Sequence, residues 1–270
     1  MKKVALVTGA SAGIGLATAH LLAENGYIVY GAARRLDKMT GLTSAGVKII
    51  SMDVADDASM VSAVNHIMQE EGQIDILINN AGFGSYGAIE DVPMADARYQ
   101  MEVNVFGLAR LCQLVLPQMR ERKFGKIVNI TSIGGKMATP LGGWYHASKF
   151  AVEGLSDSLR LEAKPFGIDV IIIEPGGVKT EWGDIAFDSA IKTSGNTVYG
   201  NLTAAAKKVY QKTTVNNVEP IVIASLIKTA ISSTAPKPRY AKGYMAGITL
   251  WAKRWLSDSL FDKLIMSQLK

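Results

Sequence analysis

Tyr145 and Lys149 stand four residues apart in the run WYHASKFAVEGLSDSLR. Ala147, Val152, Leu155, Leu159 and Leu161 recur there at roughly helical spacing, and no proline interrupts before Pro165. Positions i and i+4 of a helix share a face, so the two side chains are neighbours. A fixed ammonium beside a phenol favours the phenolate and lowers its pKa. Such a tyrosine can exchange a proton with an alcohol or a ketone near neutral pH. Alone, a Tyr-x-x-x-Lys pair is a weak signal, since most are surface coincidences. Its weight comes from the other motifs of the chain.

The elements that must position this pair alternate in type. Strand-like runs occupy 3–8, 27–33, 47–52, 74–79, 125–131 and 168–174, with helical patterning near 13–25, 56–72, 94–120 and 145–164. The strands are rich in Val and Ile and apolar on both faces, as a parallel sheet covered by helices on each side requires. The expected fold is α/β, a doubly wound, Rossmann-like parallel sheet in three layers, one domain spanning 1–270. Residues 176–215 are rich in Gly, Thr and Lys, with only a short helical stretch near 199–212, and are expected to form a mobile substrate lid. A helix over 219–232 opening on Pro220, an edge strand at 238–241 and amphipathic helices over 244–269 complete the order.

Directly after the first strand comes Thr8-Gly9-Ala10-Ser11-Ala12-Gly13-Ile14-Gly15, then a helix. At a strand-to-helix junction, glycines let the backbone approach a pyrophosphate, and the helix N-terminus offers free amides and partial positive charge. Gly9, Ser11, Gly13, Ile14 and Gly15 are therefore candidate cofactor contacts. An NAD site needs an acid at the end of the second strand, for the ribose 2′-hydroxyl. Here that stretch reads Gly31-Ala32-Ala33-Arg34-Arg35, two arginines and no acid. Guanidinium groups suit a 2′-phosphate, so NADP(H) is the expected cofactor, with Arg34 the favoured contact over Arg35. Asp53 and Val54 follow strand three and either cap the adenine or begin a turn. Asn79-Asn80-Ala81-Gly82 follows strand four and places small and amide groups beside the cofactor, with Asn80, Ala81 and Gly82 as its candidate contacts.

Taken together, TGASAGIG (8–15), NNAG (79–82), Asn104, Ser132, YHASK (145–149) and Pro175-Gly176 resemble the short-chain dehydrogenase/reductases, in the right order from residue 3 to about 180. The turn TGxxxGxG and the lack of a large C-terminal domain fit the short, single-domain branch. The tail looks similar to that of bacterial relatives of hydroxysteroid and retinol dehydrogenases. The resemblance implies that Tyr145 is the general acid in reduction, that Lys149 holds the nicotinamide ribose and depresses the tyrosine pKa, and that Ser132 bonds the substrate oxygen. It further implies that Asn104 anchors a water linking Lys149 to solvent. Thr180 would contact the nicotinamide carboxamide, and Pro175, Gly176 and Val178 would line the cofactor. Two hydrogen bonds, from Ser132 and Tyr145, suit an oxygen that gains charge as hydride arrives. The implied activity is NADP(H)-dependent interconversion of a carbonyl and an alcohol. In relatives the helices at 94–120 and 145–164 form a four-helix interface, which implies a homodimer or homotetramer.

The remaining features bound this reading. The single cysteine, Cys112, excludes an internal disulfide, reads as a buried structural thiol, and points to a reducing, cytoplasmic setting. No run is long enough to span a membrane, and His20 and His66 lack ligand-like neighbours, so no metal site is expected. His146 is adjacent to Tyr145 but turned about 100° from it on a helix. The net charge of +5 reads as scattered and offers no basic tract for nucleic acid. Trp144 either lines the substrate mouth or packs at a helix start, whereas Trp182 and Phe187 are better candidates for contact with an apolar small molecule. Ile248, Trp251, Trp255, Leu256, Leu260, Phe261, Leu264 and Ile265 form an apolar stripe in the tail; packing on the protein is favoured over peripheral membrane contact. The alternative from another class is a non-catalytic NADP-binding regulatory or scaffolding protein on the same fold.

Overall fold

The computed structural model describes residues 2–269. Seven parallel strands form one sheet in the order β3-β2-β1-β4-β5-β6-β7. They are β1 (Val4–Thr8), β2 (Ile28–Ala33), β3 (Lys48–Ser51), β4 (Ile76–Asn79), β5 (Gly125–Ile130), β6 (Ile168–Pro175) and β7 (Arg239–Lys242). Every residue of β1, β4 and β5 is buried, because helices cover both faces. The strand order reverses between β1 and β4. Loops leave that point in opposite directions and open a crevice at the carboxyl edge of the sheet.

Among the described residues eleven α-helices follow in chain order: α1 (Gly13–Glu24), α2 (Thr40–Thr43), α3 (Asp57–Glu71), α4 (Met94–Met101), α5 (Gly107–Glu121), α6 (Gly143–Ala163), α7 (Trp182–Ser194), α8 (Gly200–Thr214), α9 (Pro220–Ser232), α10 (Ala246–Trp255) and α11 (Asp258–Ser267). Two apolar cores sandwich the sheet. One packs Leu111, Val115 and Met119 of α5 and Val152 of α6 on Leu6, Leu77 and Ile127. The other packs Leu22 of α1 and Ile223 and Ile227 of α9 on Val7, Ile78 and Ile173. Cys112 lies in the first core, where burial pushes its thiol up to about 12. It is an inert packing group.

Residues 176–215 depart from the expected loop-like lid. The helical stretch expected near 199–212 is α8, but a second full helix, α7, was not legible in the sequence. Its buried positions are Gly183, Ala186, Ala190 and Ser194, while Ile185 and Ile191 face outward. A helix that buries its small residues hides its hydropathy period. Between α4 and α5, Glu102–Phe106 form one π-helical turn, a break that often marks a functional position.

A buried charge cluster fastens β7 to the rest. Glu153 on α6 meets Lys136 at 2.7 Å and Arg239 at 3.1 Å, and accepts from Thr131 Oγ1 at 2.7 Å. Glu174 lies farther from both cations, 3.9 Å from Lys136 and 3.6 Å from Arg239, and its buried Oε1 has no hydrogen-bond partner. Burial, with the nearby charge of Glu153, pushes the Glu174 carboxyl up to about 7. A carboxyl raised on folding favours the folded state below its unfolded value near 4.5. That contribution is lost as pH rises through about 7. Glu174→Gln is therefore expected to raise the thermal midpoint relative to wild type, and to raise it more near pH 8 than near pH 5. The gain is on the order of 1–2 kcal/mol. A gain that is flat with pH would contradict it.

Candidate active site

The crevice is assembled by hydrogen bonds between loops distant in sequence. Thr8 closes β1, and its Oγ1 accepts the amides of Asn80 and Ala81, each at 2.9 Å. Asn80 Nδ2 donates back to the Thr8 carbonyl at 3.0 Å. The loops after β1 and β4 are thus one unit, and Thr8, which sequence reasoning used only as part of a motif, is its bolt. Asn79, which precedes the candidate contacts Asn80, Ala81 and Gly82, does not face the crevice. It is buried, and its Nδ2 donates to Asn129 Oδ1 at 2.9 Å and Cys112 Sγ at 3.4 Å, because adjacent strand residues point to opposite faces.

The glycine turn fits a dinucleotide phosphate. Gly9 and Gly13 have φ of +66° and +54°, a region that L side chains rarely enter. A Cβ at Gly15 would lie 2.3 Å from the Gly9 carbonyl oxygen, and one at Gly13 would lie 2.9 Å from Thr180 Cγ2. Ala12, at the N-cap of α1, supplies no side-chain cap, and the first turn has no acid. The first amides of α1, among them those of Ile14 and Gly15, therefore have no partner within the helix and are free for an anion. The segment after β6 covers this turn: Gly176 donates to the Lys242 carbonyl at 2.8 Å, and Val178 packs on the core behind Ile14.

At the end of β2 the two arginines diverge. Arg35 Nη2 donates to Ser11 Oγ on the glycine turn at 3.3 Å, while Arg34 Nη1 donates to Tyr99 Oη at 2.8 Å and lies 3.9 Å from Asp53 Oδ2. Asp53 Oδ1 accepts the Ala55 amide at 3.0 Å, so this acid builds the turn carrying Val54 before α3. The stronger link to the phosphate turn runs through Arg35, not through the Arg34 favoured by the sequence.

Asn104, Ser132, Tyr145 and Lys149 converge from the π turn, the end of β5 and helix α6. Asn104 Nδ2 donates to the Phe83 carbonyl at 2.9 Å and Ser148 Oγ at 3.0 Å, and its Oδ1 accepts the Phe83 amide at 3.0 Å. One amide hydrogen holds the loop that carries Ala81 and Gly82, and the other ties Asn104 to α6. Its Oδ1 and the Lys149 ammonium both border Gly82, where an added Cβ would stand 3.1 Å and 3.7 Å from them. Lys149 Nζ donates to the Ile130 carbonyl at 2.9 Å. Ser132 Oγ accepts the Gly134 amide at 3.0 Å and donates to the Pro175 carbonyl at 3.5 Å, and the hydroxyl is close enough to the Tyr145 phenol to favour its ionised form.

The electrostatics differ from the sequence expectation of an acidified phenol. Burial pushes Tyr145 up to about 12, against an opposing pull from Ser132, and burial pushes Lys149 down to about 8 against Glu153. The ammonium lies 5.9 Å from the centre of the Tyr145 ring and makes its hydrogen bond elsewhere. Loss of water, not the nearby ammonium, sets the phenol's acidity. The water is excluded by Trp182, whose ring centre is 4.7 Å from that of Tyr145, and by Tyr86 at 5.9 Å; Phe187 packs on Tyr86 at 5.7 Å. The indole Nε1 of Trp144 is buried without a partner.

The family model for short chain dehydrogenases matches residues 3–188. The chain belongs to the short-chain dehydrogenase/reductase family. It is 38% identical over 261 residues to a 3-ketodihydrosphingosine reductase of Bacteroides thetaiotaomicron, covering 96% of this chain and 95% of that one. It is 32% identical to an NADPH-dependent 3-dehydrocapnine reductase of Ornithobacterium rhinotracheale, over 99% and 98% of the two chains. A short-chain dehydrogenase structure from Streptomyces avermitilis superposes with a TM-score of 0.84 at 33% identity, covering 98% of this chain and 96% of that one. The family is one of oxidoreductases on a Rossmann-like fold. Among the described residues no cluster of metal-binding side chains occurs, and no helix is long and apolar enough to cross a membrane.

His146 was set aside in the sequence and has a positioning task beside Tyr145. Its Nε2 accepts the Thr139 amide at 3.0 Å, which places the proton on Nδ1, 2.9 Å from the Gly134 carbonyl. Burial holds the ring below its ordinary pKa, so it stays neutral. Its ring packs edge-on to Tyr145 at 5.6 Å and spans the loop that follows Ser132. Both nitrogens are consumed, so it offers no proton route. His146→Leu strands a buried donor and a buried acceptor, and is expected to lower stability by about 2–4 kcal/mol in urea titrations. His146→Gln, which can meet both groups, should recover part of that loss. Equal losses for the two would show that packing, not hydrogen bonding, is the ring's contribution.

Proposed function

We propose that this protein is an NADP(H)-dependent carbonyl reductase acting on a ketone borne by an apolar chain. The observation that carries the reading is the enclosure of Tyr145, with the hydroxyl of Ser132 beside it, beneath an aromatic cover. Bound NADPH supplies the hydride. The chain's own task is to hold the carbonyl oxygen between Ser132 and Tyr145 and to deliver a proton from the phenol as that oxygen gains charge. Lys149 would hold the nicotinamide ribose, with its charge supported by Glu153 on the next turn of α6. Asn104 sets the loop of Gly82 and, through Ser148, the rotation of α6. Asn80, Ala81, Pro175, Gly176, Val178 and Thr180 would line the cofactor on its two sides.

Trp182, Tyr86 and Phe187 form the substrate wall, which favours an apolar compound over a charged one. The names of two relatives point the same way: each is a reductase of a 3-keto or 3-dehydro compound, and one is NADPH-dependent. 3-Ketodihydrosphingosine is accordingly the first substrate to offer. Exposed Phe106, Phe150 and Leu161 on the π turn and α6 suit a homodimer or homotetramer built across these helices.

Two measurements test this reading. Oxidation of NADPH in the presence of 3-ketodihydrosphingosine should be stoichiometric with alcohol formed. Tyr145→Phe should bind NADPH as wild type does while turnover falls about 10²–10⁴-fold; undiminished turnover would remove the proton-donor role. For the cofactor, Arg35→Ala and Arg34→Ala should each raise KM for NADPH at least about tenfold and leave that for NADH nearly unchanged. The larger effect is expected at Arg35, given its contact with Ser11. Equal effects on both cofactors would overturn the NADP(H) assignment.

A further inference from the structure

The net charge of the chain is not scattered. Residues 237–270 carry seven Lys and Arg against two Asp, a net of +5, whereas the preceding 236 residues balance at 22 of each sign. The same segment carries an apolar surface that the domain does not cover. Phe261, Leu256 and Ile265 turn inward onto Met137 and Ala252, so only part of the apolar stripe packs on the protein. Ile248, Trp251 and Trp255, at i, i+3 and i+7 of α10, and Leu260 and Leu264, at i and i+4 of α11, face solvent; both tryptophans are at least 60% exposed. Arg254 lies over the Trp255 ring at 5.7 Å, which places a cation at the edge of the apolar face. Each helix has ten residues, about 15 Å of length, half the thickness of a bilayer core. Short amphipathic helices with outward indoles and flanking cations lie in the plane of a lipid interface.

This face adjoins the site. Helix α10 packs on the turn Ile133–Gly135 that follows Ser132, and Leu269, just past α11, packs on the cluster of Tyr86, Leu141 and Tyr145. We propose that α10 and α11 form a docking surface for an anionic lipid bilayer and bring the aromatic mouth of the cleft to the membrane surface where an apolar ketone resides. The occupant follows from charge and shape: Arg239 is spent on Glu153 and Asp157 and Lys253 on Asp258, but exposed Arg254 and Lys263 flank the exposed indoles, and this cationic, apolar surface complements an anionic interface. The choice of ketone rests on the proposed reductase activity, while the docking itself does not.

The test is flotation of the full chain with vesicles of phosphatidylcholine containing phosphatidylglycerol, against vesicles of phosphatidylcholine alone. Wild type should bind the anionic vesicles, and lose that binding as salt is raised. The double variant Trp251→Ser/Trp255→Ser and the double variant Arg254→Glu/Lys263→Glu should each partition at least about tenfold less. All three proteins should keep the same mass by light scattering and the same rate with a short water-soluble ketone. Failure of wild type to bind anionic vesicles, or wild-type binding by the tryptophan variant, would overturn the proposal. So would a drop in oligomeric mass in that variant, which would identify the face as a subunit contact. If wild type binds but no protein oxidises NADPH with any ketone, the reductase reading falls and the docking surface stands.

Discussion

The ammonium of Lys149 is buried with one hydrogen bond, to the carbonyl of Ile130, and no carboxylate in contact among the described residues. Burying a cation this way is unfavourable, and the shift of its pKa to about 8 is the sign of that cost. The rest of the site can be understood as what makes the arrangement tolerable. The inward face of α6 is polar where a core helix should be apolar: Tyr145, His146, Ser148, Lys149, Glu153 and Ser156 are all buried. All but the Tyr145 phenol hydrogen-bond or pair with a fixed partner on another element. Ser148 meets Asn104, His146 meets the loop after Ser132, Glu153 meets Thr131, Lys136 and Arg239, and Ser156 meets Asn129. A half-satisfied network would be worse than an apolar face, so these contacts together fix the rotation of α6.

That network explains what the sequence revealed and what it withheld. The sheet was legible because β1, β4, β5 and β6 are apolar runs broken by Gly and Asn turns. The glycine turn was legible because it sits at a strand-to-helix junction. Asn79 and Asn80 looked alike, yet one faces the core and the other the crevice; only the pleat separates them. The divergence of Arg34 and Arg35 depends on Tyr99, sixty-odd residues away. Such long-range partners leave no local mark. Helix α7 left none because its buried side is glycine, alanine and serine.

The tail shows the opposite failure, in which a pattern was visible but its faces were not. One apolar stripe over 248–265 splits into inward Phe261 and Leu256 and outward Trp251 and Trp255 once α10 and α11 fold back on Met137. Periodicity identifies an amphipathic helix, but only the packing partner tells which residues remain for another surface.

The high pKa of Tyr145 follows from the same aromatic cover that is proposed above as the substrate wall. Trp182 lies on the ring, Tyr86 and Phe187 extend the cover, and water is kept away. In that closed arrangement a phenol is a poor acid. In the proposed reaction a substrate oxygen enters between Ser132 and Tyr145 and displaces Trp182, whose ring centre lies 4.7 Å from that of Tyr145. Displacement of Trp182 replaces an apolar contact with a hydrogen-bond acceptor whose charge grows during reaction, which stabilises loss of the phenolic proton where burial alone opposed it. The cover therefore acts on affinity and acidity together: a ligand too small to move the indole leaves the phenol in its least acidic state. Long apolar ligands, which gain the most from contact with the rings they displace, are favoured on both counts.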